Sequence, residues 1–290
     1  MTTLTQSISF RRRSVNFVMC SLLVLSLIVA LAPLVAVLTY TLGRGIHNLD
    51  GSFLTHSMKG VGPLDANGGL YHSIIGTLEQ VGLASLISIP LGLAVAIYVV
   101  EVGNGRLVAA VRFIVDVMTG IPSIVAGLFV FAFWVVGLGQ GFSGFAAALS
   151  LAILMLPVII RSSEEMLKLV PQELREASYA LGIPKWRTAL SVVLPTAASG
   201  ITTGVMLAVA RVTGETAPLL LTAFGYDAIK NSPFDGPQSA LPLFVFSQAG
   251  SAFDVAVRRA WAGALTLIVI VLVLTVLARL LARRNRLVIQ

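Results

Sequence analysis

Apolar residues fill long stretches of this chain on every helical face instead of recurring along one stripe. Six runs stand out: Val15–Leu42, Ile74–Val100, Val111–Leu138, Phe142–Ile160, Thr196–Thr222 and Trp261–Ala282. Each reaches or approaches the roughly 20 residues that a helix needs to cross a bilayer. A helix that is apolar all round is solvated by lipid or by other helices, not by water. The pattern predicts an all-α polytopic membrane protein with six transmembrane helices. Three long connections separate the runs, Gly43–Ser73, Arg161–Pro195 and Ala223–Ala260. The last is irregular and contains proline, with a short apolar helix expected around Leu241–Gln248.

The first run resembles a signal peptide, because Arg11–Arg13 precede it and Ala30-Leu31-Ala32 looks like a cleavage site. It continues well past that triplet, too long for a signal-peptide core. It is read as an uncleaved span behind a tail, residues 1–14, with residues 15–290 forming one membrane domain. Composition agrees: 57% of residues are hydrophobic and 11% charged, against about 25% charged in a soluble domain.

The formal net charge of +7 would suit a nucleic-acid partner, but its distribution suits a bilayer. Fourteen Lys and Arg residues fall on the side of the two termini and five on the other, with Arg211 alone inside a run. Cytoplasmic loops carry such an excess. Both termini are expected in the cytoplasm, with membrane lipid and no nucleic acid as the surroundings. The single cysteine, Cys20, lies in the first run and reads as a small buried apolar residue. His47, His56 and His72 share one outer connection at no metal-binding spacing, and read as solvated loop histidines.

The cytoplasmic loop 161–195 carries the first specific signal, Pro171-Gln172-Glu173-Leu174-Arg175-Glu176-Ala177-Ser178-Tyr179-Ala180-Leu181-Gly182. Pro171 fits the first position of a helix, where its missing N–H costs nothing. Gly182 fits the position just past the helix end. Leu174, Ala177 and Leu181 fall on one face, so the helix is amphipathic. Pro184 then opens a second helix toward Leu194-Pro195. Such a helix either lies on the membrane or docks another protein, and a residue as small as Ala177 allows close approach. The spacing of Glu176-Ala177-Ser178, Gly182 and Leu194-Pro195 resembles the EAA loop of ABC importer permeases, with Ser178 in place of alanine and Val192 in place of isoleucine. The resemblance implies that Glu176, Ala177, Ser178, Gly182, Leu194 and Pro195 couple this chain to a separate ATP-binding subunit. None of the lysines, at 59, 168, 185 and 230, sits in a phosphate-cradling P-loop. The chain is expected to be no enzyme and to bind no metal or cofactor, with ATP–Mg on the partner ATPase.

Arg211 and Glu215 lie inside the fifth run, where an Arg costs about 2.5–3.5 kcal/mol on insertion scales. Four apart on a helix, they share a face. Gly200, Gly204 and Ala208 extend that face at small-xxx-small spacing, so it is expected to look into the protein. An arginine fork suits a tetrahedral oxyanion. Glu215 can hold it while the site is empty, and favours an anion that still carries a proton, as phosphate does and sulfate does not. The plainer reading is a charge pair that ties helices together. In the third run Pro122, flanked by Thr119 and Ser123, removes a helix hydrogen bond and crowds the carbonyl of Met118. Broken helices at membrane depth recur at transporter substrate sites. A simple packing kink is an equal alternative there.

The stretch Ala210-Arg211-Val212-Thr213-Gly214-Glu215-Thr216-Ala217-Pro218-Leu219 resembles the span-five signature of phosphate-importer permeases of the PstA type. Gly120-Ile121-Pro122-Ser123-Ile124-Val125-Ala126-Gly127 resembles a second segment of that family, and the likeness covers roughly residues 74–282. It implies an ABC importer type I permease in the inner (plasma) membrane, with Arg211, Glu215, Thr119, Pro122 and Ser123 along the substrate pathway. It also implies a heterodimer with a second related permease subunit, two copies of a cytoplasmic ATP-binding subunit, and an external phosphate-binding protein. The residues themselves leave open another oxyanion (sulfate, molybdate or a phosphonate). They also leave open a secondary transporter driven by an ion gradient, which would have no use for the EAA-type loop.

Overall fold

Helices form where the apolar runs lie, because a backbone in lipid must satisfy its hydrogen bonds internally. The computed structural model describes residues 9–286 except 63, 66 and 231. In chain order the helices are α1 (Phe10–Gly45), α2 (Gly51–Thr55), α3 (Tyr71–Ile97), α4 (Arg106–Thr119), α5 (Ser123–Val130), α6 (Gly144–Lys168), α7 (Gln172–Ala180), α8 (Lys185–Thr188), α9 (Leu194–Thr213), α10 (Ala217–Thr222), α11 (Leu241–Ala249) and α12 (Asp254–Arg286). Wider π-helical turns extend α3 over Tyr98–Val102 and α5 over Phe131–Gly137, and join α8 to α9 over Ala189–Val193. The last of these lies just ahead of Pro195, which has no N–H to donate back into the helix. Among the described residues the only strand-like contact is one isolated bridge, Phe224 with Gln238.

Five of these helices are long and apolar enough to span: Phe10–Asn48, Tyr71–Val102, Gly144–Lys168, Lys185–Thr213 and Asp254–Leu280. The sixth predicted span is broken. Its halves, Arg106–Thr119 and Ser123–Gly137, meet at 105° across Gly120–Pro122. Pro122 takes the N-cap position of α5 with an extended ψ of 138°, so it starts a new helix and does not merely kink an old one.

Helix α6 is the hub, with α3, α9, α5, α4 and α10 packed around it. Lipid gives two helices no hydrophobic reason to meet, so close contact rests on packing, and small residues permit it. Ala147, Ala148 and Ala152 of α6 are buried with Leu151, Met155 and Ile159 against Val81 and Ala84 of α3 and Ala208 and Val212 of α9. Helix α1 stands apart. Only its Thr41 and Gly45 are buried, where it meets α12 and Tyr40 sets its ring edge-to-face on Trp261 at 5.0 Å. Cys20, expected to be buried, is exposed for that reason.

Three further expectations need correction. The fifth span is Lys185–Thr213, not Thr196–Thr222. Gly214 ends α9, because Pro218 lacks an N–H and crowds the carbonyl four residues back. The small-residue stripe of α9 faces α6: a Cβ at Gly200 would collide with Met166, and one at Gly204 with Ser162. That stripe leads through Ala208 to the buried Val212, while Arg211 lies off it and is exposed. Finally, His72 is no loop histidine, because α3 begins at Tyr71 and buries it.

Candidate functional site

Four clusters gather the predicted residues and several that sequence reasoning missed. Helix α7 starts directly after Pro171, which serves as its N-cap and not, as expected, its first residue. It ends in a Schellman motif: Ile183 N donates to Ser178 O at 3.2 Å, and Gly182 N to Tyr179 O at 2.9 Å. The motif needs a left-handed residue, and Gly182 supplies it at φ +78°. Glu176 and Ala177 point outward together with the apolar Leu174, Leu181 and Trp186. Ser178 points inward and shares a 2.8 Å hydrogen bond with the buried Thr188 hydroxyl. Leu194 and Pro195 are half-buried and sit at the start of α9, one continuous rod with α8.

Arg175, one residue before Glu176, had drawn no role from the sequence. Its guanidinium is buried and reaches Glu101, at the end of the α3 rod, with Nη2 to Oε1 at 2.8 Å and Nε to Oε1 at 3.1 Å. Nη1 donates to Val170 O at 2.5 Å, and Nη2 also donates to Leu167 O at 2.9 Å. The Leu167 carbonyl belongs to the last turn of α6, where a helix has no partner of its own for it, and Val170 lies just past the helix end.

A second charge cluster lies nearby. The Glu164 carboxylate is 1% exposed and takes Arg112 of α4 at 2.8 Å, Lys168 at 2.9 Å and Arg161 at 3.1 Å. Arg161 in turn pairs with Asp116 of α4. The bent half of span three is thus held to α6 by ions as well as by packing.

Beyond the break in span three and the end of span five, α5 and α10 pack side by side. Gly127 lies against Pro218 so closely that a Cβ there would sit 2.5 Å from the Pro218 Cα. Arg211 is in the last turn of α9, and Glu215 lies beyond the helix, between α9 and α10. Their closest approach is 3.9 Å, with the Arg211 side chain 67% exposed and that of Glu215 20%. The pair is loose, and the guanidinium has free donors. Thr119 is exposed and bonds only the Asp116 carbonyl of its own helix at 2.6 Å. Pro122 is exposed and Ser123 half-buried. Among the described residues no hydrogen bond joins this trio to Arg211 or Glu215. Gly214 and Thr216 open onto a cleft of about 800 Å³ lined also by Pro242, Val245 and Phe246.

The fourth cluster ties the long 223–240 segment into the bundle at the end opposite α7. The segment dips two turns along α3, where Gly76 leaves room for the Ser239 carbonyl. Gln80, fully buried, donates to Gln238 Oε1 at 3.0 Å and to Ser239 O at 3.2 Å. Gln238 donates onward to Glu79 at 2.5 Å. Ser73 bridges Ser239 at 2.9 Å and His72 at 3.1 Å, and Thr77 accepts from Leu241 N at 2.8 Å. This network starts α11, the short helix expected near Leu241–Gln248. The signal in the sequence was Thr77, Glu79 and Gln80, polar residues near the start of the apolar run Ile74–Val100.

The chain is similar to known proteins over most of its length. Residues 88–287 match the family of binding-protein-dependent transport system inner membrane components. The phosphate transport system permease protein PstA 1 of Mycobacterium tuberculosis is 45% identical over 96% of this chain and 93% of its own. The PstA proteins of Xylella fastidiosa, strain Temecula1, and Yersinia pestis are 37% and 39% identical, over 99% and 95% of this chain and 99% and 92% of theirs. Among solved structures, an inward-facing MetNI methionine ABC transporter superposes with a TM-score of 0.60 at 18% identity, covering 74% of this chain and 97% of that one. A bacterial ABC transporter that imports alginate does so with a TM-score of 0.63 at 14% identity, covering 95% and 98%. These two establish the type I importer permease fold, and with the sequence relatives they identify the chain as a multi-pass inner-membrane permease of the binding-protein-dependent transport family, in its phosphate transport system PstA branch.

Proposed function

We propose that this chain is the transmembrane permease subunit of an ATP-driven importer of inorganic phosphate, receiving its substrate from an external binding protein. The observation that carries the reading is Arg211, a charged residue in the last turn of a spanning helix that is two-thirds exposed in the single chain. Lipid is a poor neighbour for that charge. A surface that pairs it with a helix break suits a water-filled path shared with a second, related permease chain. There the free donors of the guanidinium meet a phosphate, and Glu215 accepts a hydrogen bond from the O–H that a phosphate retains. Relatives named for phosphate transport, aligned over nearly their whole length, support the same substrate.

The α7 end is then the cytoplasmic one, with both termini on that side. Two copies of an ATP-binding subunit would carry ATP–Mg there. One would seat the exposed face of Leu174, Ala177 and Leu181, with Glu176 at its edge, and the Gly182 turn would fix the angle of that face. The segment 223–240 and α11 face the binding protein on the other side. The test is uptake of radiolabelled phosphate, with sulfate in parallel, by cells lacking this chain and complemented with it. Accumulation of phosphate alone, lost on ATP depletion, is the expected result. Equal accumulation of sulfate, or uptake that survives ATP depletion, would overturn the reading.

A further inference from the structure

We infer that Arg175 is a positioning residue that carries displacement of α7 into two spans at once, α3 and α6, with Glu101 as its anchor. The inference rests on the proposed coupling of α7 to an ATPase. Helix α7 touches the rest of the chain narrowly, through α8 and the π turn that follows it. Its outward face is free, so a push from outside reaches the bundle through the chain on either side of α7 and through its buried side chains. Those are Arg175 and Ser178. Ser178 holds Thr188, at the root of the α8–α9 rod. Arg175 holds both of the others: Glu101 at the end of the α3 rod, and the Leu167 and Val170 carbonyls at the end of α6.

Arginine is suited to this because one rigid plane presents five donors, four of which point at named acceptors here. Lysine, a single rotatable charge, could keep Glu101 but not the carbonyls in the same geometry. Both partners are buried, at 10% and 3% side-chain exposure, so neither is relieved by water when the pair is pulled apart. The link is therefore stiff as well as short. Glu101 lies 74 positions from Arg175 in sequence and outside the loop motif, and the motif residues Glu176, Ala177 and Ser178 do not make these contacts.

The test uses the whole transporter, with its partner permease, ATPase and binding protein, reconstituted in proteoliposomes. Phosphate uptake and ATP hydrolysis are measured in the same vesicles for wild type, Glu101→Gln and Arg175→Lys. Glu101→Gln should assemble and hydrolyse ATP within about twofold of wild type while transporting at least about tenfold less phosphate per ATP. Arg175→Lys should fall between the two. Unchanged phosphate per ATP in both variants would overturn the inference. So would uptake and hydrolysis falling together, or failure of both variants to assemble with the ATPase, since either result makes the pair a folding element only. If wild type itself shows no ATP-driven phosphate uptake, the proposed function fails, and this inference with it.

Discussion

The two ends of the bundle hold their connecting segments by different chemistry. At the α7 end the buried contacts are chiefly ionic: Glu101 with Arg175, and Glu164 with Arg112, Arg161 and Lys168. At the α11 end they are chiefly neutral, amide and hydroxyl groups of Ser73, Thr77, Gln80, Gln238 and Ser239, with Glu79 only at the margin. Taking one partner from a buried neutral hydrogen bond costs about 1–3 kcal/mol. Taking one partner from a buried ion pair costs about 3–5 kcal/mol. The α7 end is therefore the stiffer one, and the 223–240 segment the one more cheaply released. That division suits an importer in which force enters at one end and a closure opens at the other.

The comparison breaks first if Glu164 proves dispensable. Glu164→Ala leaves three cations around an empty site. Because those cations are 33–43% exposed, water relieves part of the cost, and the expected loss is near the low end, about 3 kcal/mol. Thermal unfolding of the detergent-solubilised protein measures it, and a wild-type midpoint would refute the stiffer-end argument. At the opposite end Gln80→Leu removes a donor and leaves the Gln238 amide oxygen and the Ser239 carbonyl short of partners, for about 2 kcal/mol. The effect there should be local, read as faster protease cleavage within 223–240 before any change in global unfolding. Global unfolding without that local step would mean the segment is no separate closure.

A smaller change sharpens the contrast. Ser178→Ala removes a neutral contact at the ionic end and should cost only about 1 kcal/mol, well below Glu164→Ala in the same unfolding measurement. A loss as large as that of Glu164→Ala would show that position in the fold, not charge, sets the cost.

Much of this was legible in the sequence where local chemistry decides it. The helix end at Gly182 follows from a residue that adopts φ +78° without strain, and the break at Pro122 follows from a missing N–H. The helix near Leu241 was visible as an apolar island behind a proline-containing loop. The fifth span was misread because a periodicity was carried through Gly214 to Glu215, although Pro218 four residues later forbids that helix from continuing. His72 was taken for a loop residue because nothing around it in sequence announces Ser239, its neighbour through Ser73 in the folded chain. Glu101 and Arg175 pair across two spans, and each alone looks like an ordinary loop charge. Long-range polar pairing leaves no period in the sequence.

The proposed phosphate path runs past Arg211, in the last turn of α9. Uptake of radiolabelled phosphate by Arg211→Gln, at a membrane level matched to wild type, tests it most directly. A charge-assisted hydrogen bond of about 1.5–3 kcal/mol corresponds to roughly a 10- to 100-fold loss of uptake, with ATP-binding subunit still co-purifying at wild-type yield. Uptake within about twofold of wild type would contradict the account and leave Arg211 and Glu215 as a surface pair between helices.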